Sequence, residues 1–105
     1  MKVIFDENVP WPLSRHFTSH TVTSVQREGW DGIQNGALIE KIDGHFDIFL
    51  LADKNLRYQQ NLMERKIAIV ELPTNRWPLV QTMLPSIIAA IERSHPGSYE
   101  ILEMR

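Results

Sequence analysis

The sequence predicts an α/β fold, a three-layer sandwich in which helices cover both faces of a mainly parallel central sheet of four to five strands. Three short segments, residues 3–5, 46–52 and 67–72, are apolar at nearly every position. Such runs are typical of strands buried on both faces of a parallel sheet. Segments with helical periodicity separate them, and this alternation favours parallel strands joined by right-handed crossovers.

Two further strands are predicted by alternation of polar and apolar side chains. Residues 20–25 alternate with a period of two, which is typical of a half-buried or edge strand. Residues 99–104 alternate in the same way and are the candidate for a last strand.

Four helices are expected between these strands, over residues 10–18, 33–43, 56–65 and 77–93. Gly44 follows the second helix, where glycine commonly takes a left-handed conformation. Pro85 lies inside the fourth helix and should kink it or start a new segment, because proline has no amide proton to donate.

The composition is that of an ordinary globular protein, with 105 residues, 43% hydrophobic and 23% charged. This length supports one domain, residues 1–105. The net charge of −2 gives no expectation of a strongly basic nucleic-acid binder. The lack of cysteine excludes disulfides, thiol catalysis and cysteine-ligated zinc. No signal peptide is visible, and no apolar run approaches the roughly 18 residues of a membrane span, so we expect a cytoplasmic protein without membrane contact.

Each of the three buried strands is followed by a tail that contains acidic or amide side chains: Asp6, Glu7 and Asn8 in the first, Asp53 and Asn55 in the second, and Asn75 in the third. If the strands are parallel, these tails meet at the carboxyl edge of the sheet, where open α/β folds bind ligands. Two neighbouring carboxylates repel each other unless a cation neutralises them, and Mg²⁺ or Mn²⁺ prefers such oxygen ligands. Asp6 and Asp53 therefore predict a metal-binding catalytic site, with helix capping as the alternative role for each.

Other polar residues are secondary candidates for this site. Asn35 falls on the apolar face of the second helix, in its first turn, where it would serve catalysis or cap the helix. Glu40 falls well off that face, so solvation suits it better than metal binding. Glu7 should point away from Asp6 unless a bulge intervenes. Asn75 either closes the site or makes a turn after Pro73.

Cationic and aromatic side chains near the strand tails suggest contacts to substrate. Lys54, Arg57 and Arg76 lie just past strand tails and could meet phosphates, with surface salt bridges as the alternative. The tryptophans (Trp11, Trp30 and Trp77) could stack bases or anchor a partner, although core packing is the more common role. The four histidines show no ligand spacing and receive no role.

Several of these motifs resemble those of the DUF5615 family of small PIN-like proteins. The resemblance is carried by VIFDENVP at residues 3–10, Gly29-Trp30, FDIFLLADKNL at 46–56 and PTNRWP at 73–78, and it reaches to about Leu84. The family is related to PIN domains, which include toxin ribonucleases of bacterial toxin–antitoxin pairs. The resemblance implies Mg²⁺- or Mn²⁺-dependent cleavage of RNA by acidic residues at the strand tips. The implied partners are an RNA substrate and a cognate antitoxin protein, and a homodimer is also considered.

By position, Asp6 and Asp53 match the first and late acidic residues of the family pattern. Asn35 and Asn55 stand where the family more often has aspartates. Since fewer charged ligands weaken ion binding, one alternative is a catalytically weakened PIN-like module that binds a partner protein around Trp77 and the last helix. Another alternative is a phosphoacceptor receiver, whose expected acidic pair after the first strand is only partly met by Asp6 and Glu7.

Overall fold

A computed structural model of the protein describes residues 1–33, 35–52 and 65–104. In these ranges five strands form one sheet: β1 Lys2–Phe5, β2 Thr21–Ser24, β3 Ile48–Leu51, β4 Ala68–Glu71 and β5 Tyr99–Ile101. The strands lie in the order β2-β1-β3-β4-β5, and every neighbouring pair is parallel. The predicted α/β class with a parallel central sheet is confirmed, and β2 is an edge strand as its alternation predicted.

The described helices lie between the strands. A 3₁₀ helix, η1 (Trp11–His16), follows β1, and α1 (Asn35–Ile42) follows β2. Two helices, α2 (Trp77–Thr82) and α3 (Leu84–Arg93), connect β4 to β5. Within the described part of the chain, none of the helices has the length and apolar character needed to cross a bilayer.

Successive side chains of each strand point to opposite faces of the sheet, so the strands contribute to two separate cores. On one face, Phe5, Leu50 and Val70 pack in a cluster with residues of η1, α2 and α3. On the other face, Ile4, Phe49 and Ile69 pack with Leu38 and Ile42 of α1. The sheet is therefore covered on both sides, as in the predicted three-layer sandwich.

Several predicted boundaries differ from the structure. The fourth predicted helix is two helices that meet at Met83, and Pro85 lies in the first turn of α3, where its missing amide proton breaks no bond. The first predicted helix is a short 3₁₀ helix, in which the amide of Phe17 bonds the carbonyl of Ser14. Arg65 is not helical, and the rest of the predicted third helix lies outside the described residues.

Two glycines near the ends of α1 differ in backbone conformation, and the same substitution should therefore have opposite effects at the two positions. Gly44 has a φ of +84°, whereas Gly36 is helical and an added Cβ there would meet no atom within 4 Å. Gly44→Ala should lower the free energy of unfolding by about 1 kcal/mol, because L-residues are strained in the left-handed region. Gly36→Ala should raise it by up to about 1 kcal/mol, because alanine favours helix. Urea denaturation measures the free energy of unfolding of both variants. A change of the same sign in the two variants would contradict this explanation.

Candidate active site

The candidate site lies where two neighbouring strands of the sheet send their connections in opposite directions. β1 leads to β2 on one side, while its other neighbour, β3, leads to β4, and Phe5 pairs in register with Leu50. In open parallel sheets with this strand order, ligands bind at this switch point, beyond the carboxyl ends of the two strands. The carboxyl ends of β1 and β3 are therefore adjacent.

Asp6 is the first residue after β1 and is fixed by hydrogen bonds on both its backbone and its side chain. Its amide donates to the carbonyl of Leu50 at 2.9 Å, and its carbonyl accepts from the amide of Val9 at 3.1 Å. Its Oδ1 accepts from the amide of Glu7 at 2.8 Å. Asp6 is half-buried, so its carboxylate is oriented at the switch point before any ligand arrives.

Glu7 ties the tail of β1 to the loop between β2 and α1. The chain turns after Asp6 instead of continuing as a strand, and Glu7 Oε1 accepts from the amide of Gly32 at 2.9 Å. Gln26 Nε2 donates to the carbonyl of Glu7 at 3.1 Å. This exposed carboxylate therefore positions the neighbouring loop. The contact joins residues 25 positions apart, which local sequence patterns do not reveal.

The remaining described candidates are all exposed: Asn8, Asn75 and Arg76 follow strand ends, and Glu40 lies on α1. Asn8 is exposed in the turn after β1. Asn75 and Arg76 are exposed between β4 and α2, and the amide of Arg76 donates to Thr74 Oγ1 at 3.2 Å. Glu40 is exposed on α1, away from the buried Leu38 and Ile42 as predicted.

Several predicted site residues lie outside the described part of the chain: Asp53, Lys54, Asn55 and Arg57. β3 ends at Leu51, and the half-buried Ala52 that follows it is the last described residue before Asp53. Asn35 begins α1, but its side chain is also outside the description. The pairing of Asp6 with Asp53, and the catalytic role of Asn35, therefore stay predictions.

The donor chemistry at the switch point suits a hard divalent cation. Asp6 provides carboxylate oxygens, which Mg²⁺ and Mn²⁺ prefer, and its predicted partner is a second carboxylate. Within residues 1–33, 35–52 and 65–104, no three histidine, aspartate or glutamate side chains form a group that could hold a metal ion. Asp53, the second predicted ligand, lies outside these ranges. Two other described aspartates have structural contacts. Asp43 accepts from backbone amides just before β4, and Asp47 accepts from the amide of the first residue of β1.

A buried acid at the end of β4 was given no role in the sequence analysis. Glu71 is 1% exposed, pairs in register with Leu51 and accepts a hydrogen bond from Tyr99 Oη at 3.0 Å. The ring of Tyr99 lies beneath the guanidinium of the buried Arg65. Burial lowers the pKa of Arg65, and electrostatic attraction to Tyr99 and Asp43 offsets only part of this effect. The sequence feature that could have identified Glu71 is its position as the one acidic residue in the apolar run 67–72.

An aromatic and cationic surface also borders the site. The indole of Trp11 packs edge-on against Phe5, and the Arg27 guanidinium lies over the same indole, with Cζ 4.0 Å from the ring centroid. Trp77 packs partly into the core beside His16. Trp11 was a predicted contact residue and Arg27 was not, because their contact depends on the packing of η1 against the segment after β2.

No protein-family model, curated protein or solved structure matches this chain. Function therefore has to be argued from the residues and their geometry.

Proposed function

We propose that the protein is a metal-dependent ribonuclease of PIN-like type that hydrolyses RNA phosphodiesters at the carboxyl edge of its sheet, and that it is the toxin of a toxin–antitoxin pair. The main support is the in-register pairing of Phe5 with Leu50. It makes β1 and β3 parallel neighbours, so that Asp6 and Ala52, the last described residue of this segment, follow adjacent strand ends. The toxin role, with its antitoxin, rests on the family resemblance alone.

In this proposal Asp6 and Asp53 hold Mg²⁺ or Mn²⁺. The ion, when bound, activates a water molecule and stabilises charge on the phosphate. The amide of Glu7 keeps Asp6 Oδ1 in one orientation, so that less side-chain entropy is lost when the ion binds. Arg76 and Asn75, exposed past β4 on the same edge, would contact the RNA backbone. Lys54 and Arg57, which lie outside the described residues, are predicted from the sequence to do the same.

The wild-type protein should cleave single-stranded RNA in the presence of Mn²⁺ or Mg²⁺. Cleavage should stop when EDTA removes the ion. Titration calorimetry should detect Mn²⁺ binding, and Asp53→Asn should weaken that binding at least about tenfold, because one charged ligand is lost. Asp47→Asn is the matched control, since Asp47 lies at the opposite edge and its Oδ2 contact to the amide of Lys2 can be kept by an amide oxygen. Cleavage that continues unchanged in EDTA would contradict the proposal.

A phosphoacceptor domain is the second candidate, and the strand order favours it. The order β2-β1-β3-β4-β5 is that of flavodoxin-like sheets, a group that includes receiver domains. This candidate predicts a stable aspartyl phosphate after incubation with acetyl phosphate and Mg²⁺. A receiver is expected to have an acidic pair after its first strand. Here the Glu7 carboxylate accepts a hydrogen bond from the amide of Gly32, so only Asp6 of that pair is left for this role. A phosphorylated Asp53 without any RNA cleavage would replace the ribonuclease proposal.

The third candidate is the catalytically weakened module that binds a partner protein. Exposed large apolar side chains favour it: Ile101 is 44% exposed in β5, and Met104 is 45% exposed just after it. This surface differs from the one expected around Trp77, whose indole is partly buried against the core. An absence of Mn²⁺ binding at millimolar ion, together with no cleavage, would favour this candidate.

A further inference from the structure

We propose that Arg27, held against the ring of Trp11, binds a backbone phosphate of single-stranded RNA next to the Asp6 edge. This inference rests on the proposed ribonuclease function and names a substrate contact for it. It comes from three features of the described residues, namely the rigidity of the stack, its place beside β1 and the lack of a competing acid.

The guanidinium of Arg27 is held on one side by a fixed surface. Its Cζ lies 4.0 Å from the centroid of the Trp11 ring, which is cation–π contact distance. The Trp11 ring is itself fixed by its edge-on contact with Phe5, with ring centroids 5.7 Å apart. The backbone of Arg27 is also tied down, since its amide donates to Ser24 Oγ at 3.1 Å. A phosphate would therefore meet a guanidinium that has already lost much of its freedom.

The stack lies beside the candidate catalytic residue. Phe5, which supports the Trp11 ring, is the residue before Asp6, and its carbonyl accepts from the amide of Val25 at 2.9 Å. Gln26, the residue before Arg27, donates to the carbonyl of Glu7. These contacts hold the end of β2 against the turn after β1. An RNA strand lying across Asp6 would therefore pass close to Arg27.

The charge of Arg27 is also available to a ligand. Arg27 is exposed, and its guanidinium forms no ion pair with a residue of the described ranges. The acids on either side are engaged, as Glu28 accepts from Thr23 Oγ1 and Glu7 accepts from Gly32. Arg93, by comparison, is paired with Glu100. An exposed guanidinium without an acid partner is the kind of group that nucleic-acid phosphates recruit.

The arrangement favours a phosphate over a base as the ligand. Arg27 already covers one face of the Trp11 indole, so a base cannot stack there. The guanidinium keeps its N–H groups at its edge, where they match two phosphate oxygens. This contact carries no sequence information, and single-stranded DNA should use it equally well.

The test compares Arg27→Ala with Lys41→Ala. Lys41 is also an exposed cation over an indole, with Nζ 5.9 Å from the Trp30 ring centroid, but it lies on α1 at the other face of the sheet. Binding of a short labelled single-stranded RNA of mixed sequence is measured by fluorescence anisotropy in EDTA at several salt concentrations. The same proteins are assayed for cleavage in Mn²⁺, and a DNA strand of the same sequence is measured alongside.

Arg27→Ala should weaken RNA and DNA binding about five- to tenfold. The slope of the logarithm of the binding constant against the logarithm of the salt concentration should fall in magnitude by about 0.7, the value for one phosphate contact on a single strand. KM for cleavage should rise while kcat changes little, and Lys41→Ala should leave all of these values close to wild type. Arg27→Lys should restore part of the affinity, because it keeps the charge but loses the two-pronged geometry. Since Arg27 is exposed, the melting temperatures of these variants should stay near wild type.

If wild-type protein binds and cleaves RNA but Arg27→Ala matches Lys41→Ala, the inference is wrong and the proposed function stands. If wild-type protein neither binds nor cleaves RNA, the proposed function is wrong and the inference fails with it.

Discussion

Asp6→Asn is expected to lower metal-dependent RNA cleavage about a thousandfold while leaving the fold intact. In the proposed mechanism, a lost carboxylate ligand removes several kcal/mol of metal-assisted stabilisation of the transition state. The asparagine Oδ1 can still accept from the amide of Glu7, as the aspartate Oδ1 does at 2.8 Å. The melting temperature should therefore change little, and the measurement is the initial rate of RNA cleavage in Mn²⁺.

The control for this change is again Asp47→Asn, which removes the same charge at the opposite edge of the sheet. Asp47 accepts from the amide of Lys2, at the start of β1. Its variant should keep at least half of the wild-type rate. If Asp6→Asn were as active as Asp47→Asn, Asp6 would have no catalytic role and the site would have to be placed elsewhere.

Phe5→Ala is expected to produce the largest loss of stability among single changes in β1, about 3–5 kcal/mol. Phe5 is fully buried, and its ring makes edge-on contacts with both Trp11 and Phe17. The change would leave a cavity between the sheet and η1, because the rigid strand cannot close the space. Urea denaturation followed by circular dichroism measures the change in the free energy of unfolding.

Phe46→Ala provides the comparison for Phe5→Ala. Phe46 is only half-buried, and its ring packs edge-on against Trp30 at 6.3 Å. Its loss should cost no more than about half as much, because the transfer free energy follows the buried apolar area. Equal losses at the two positions would show that η1 does not depend on Phe5 for its packing.

The sheet was predictable because burial on both faces leaves a direct mark on the sequence. The runs that contain Ile4, Phe49 and Ile69 are apolar at successive positions, and all three residues are buried. The alternation of residues 20–25 likewise predicted an edge strand, and β2 is one. Pro85 marked a helix boundary because its ring and its missing amide proton fit only the first turn of α3.

The strand order and the contacts around the site were not predictable in the same way. Periodicity reports which side chains are buried but not which strands are neighbours, so the pairing of Phe5 with Leu50 needed the structure. The bond from Gly32 to Glu7 and the stack of Arg27 on Trp11 join distant positions of the chain. Asp6 could be proposed as a site residue from the sequence because an acid directly after a buried strand is a local signal. The contacts between distant positions leave no such signal.

The central place of β1 in the sheet also has a consequence for protein synthesis. β1 is made first, but its neighbour β3 begins only at Ile48 and β4 only at Ala68. On the ribosome, the growing polypeptide therefore contains Asp6 well before β3, the neighbouring strand of the candidate site, has been translated. A nuclease built in this way would lack one half of its site until β3 had been translated and had left the ribosome.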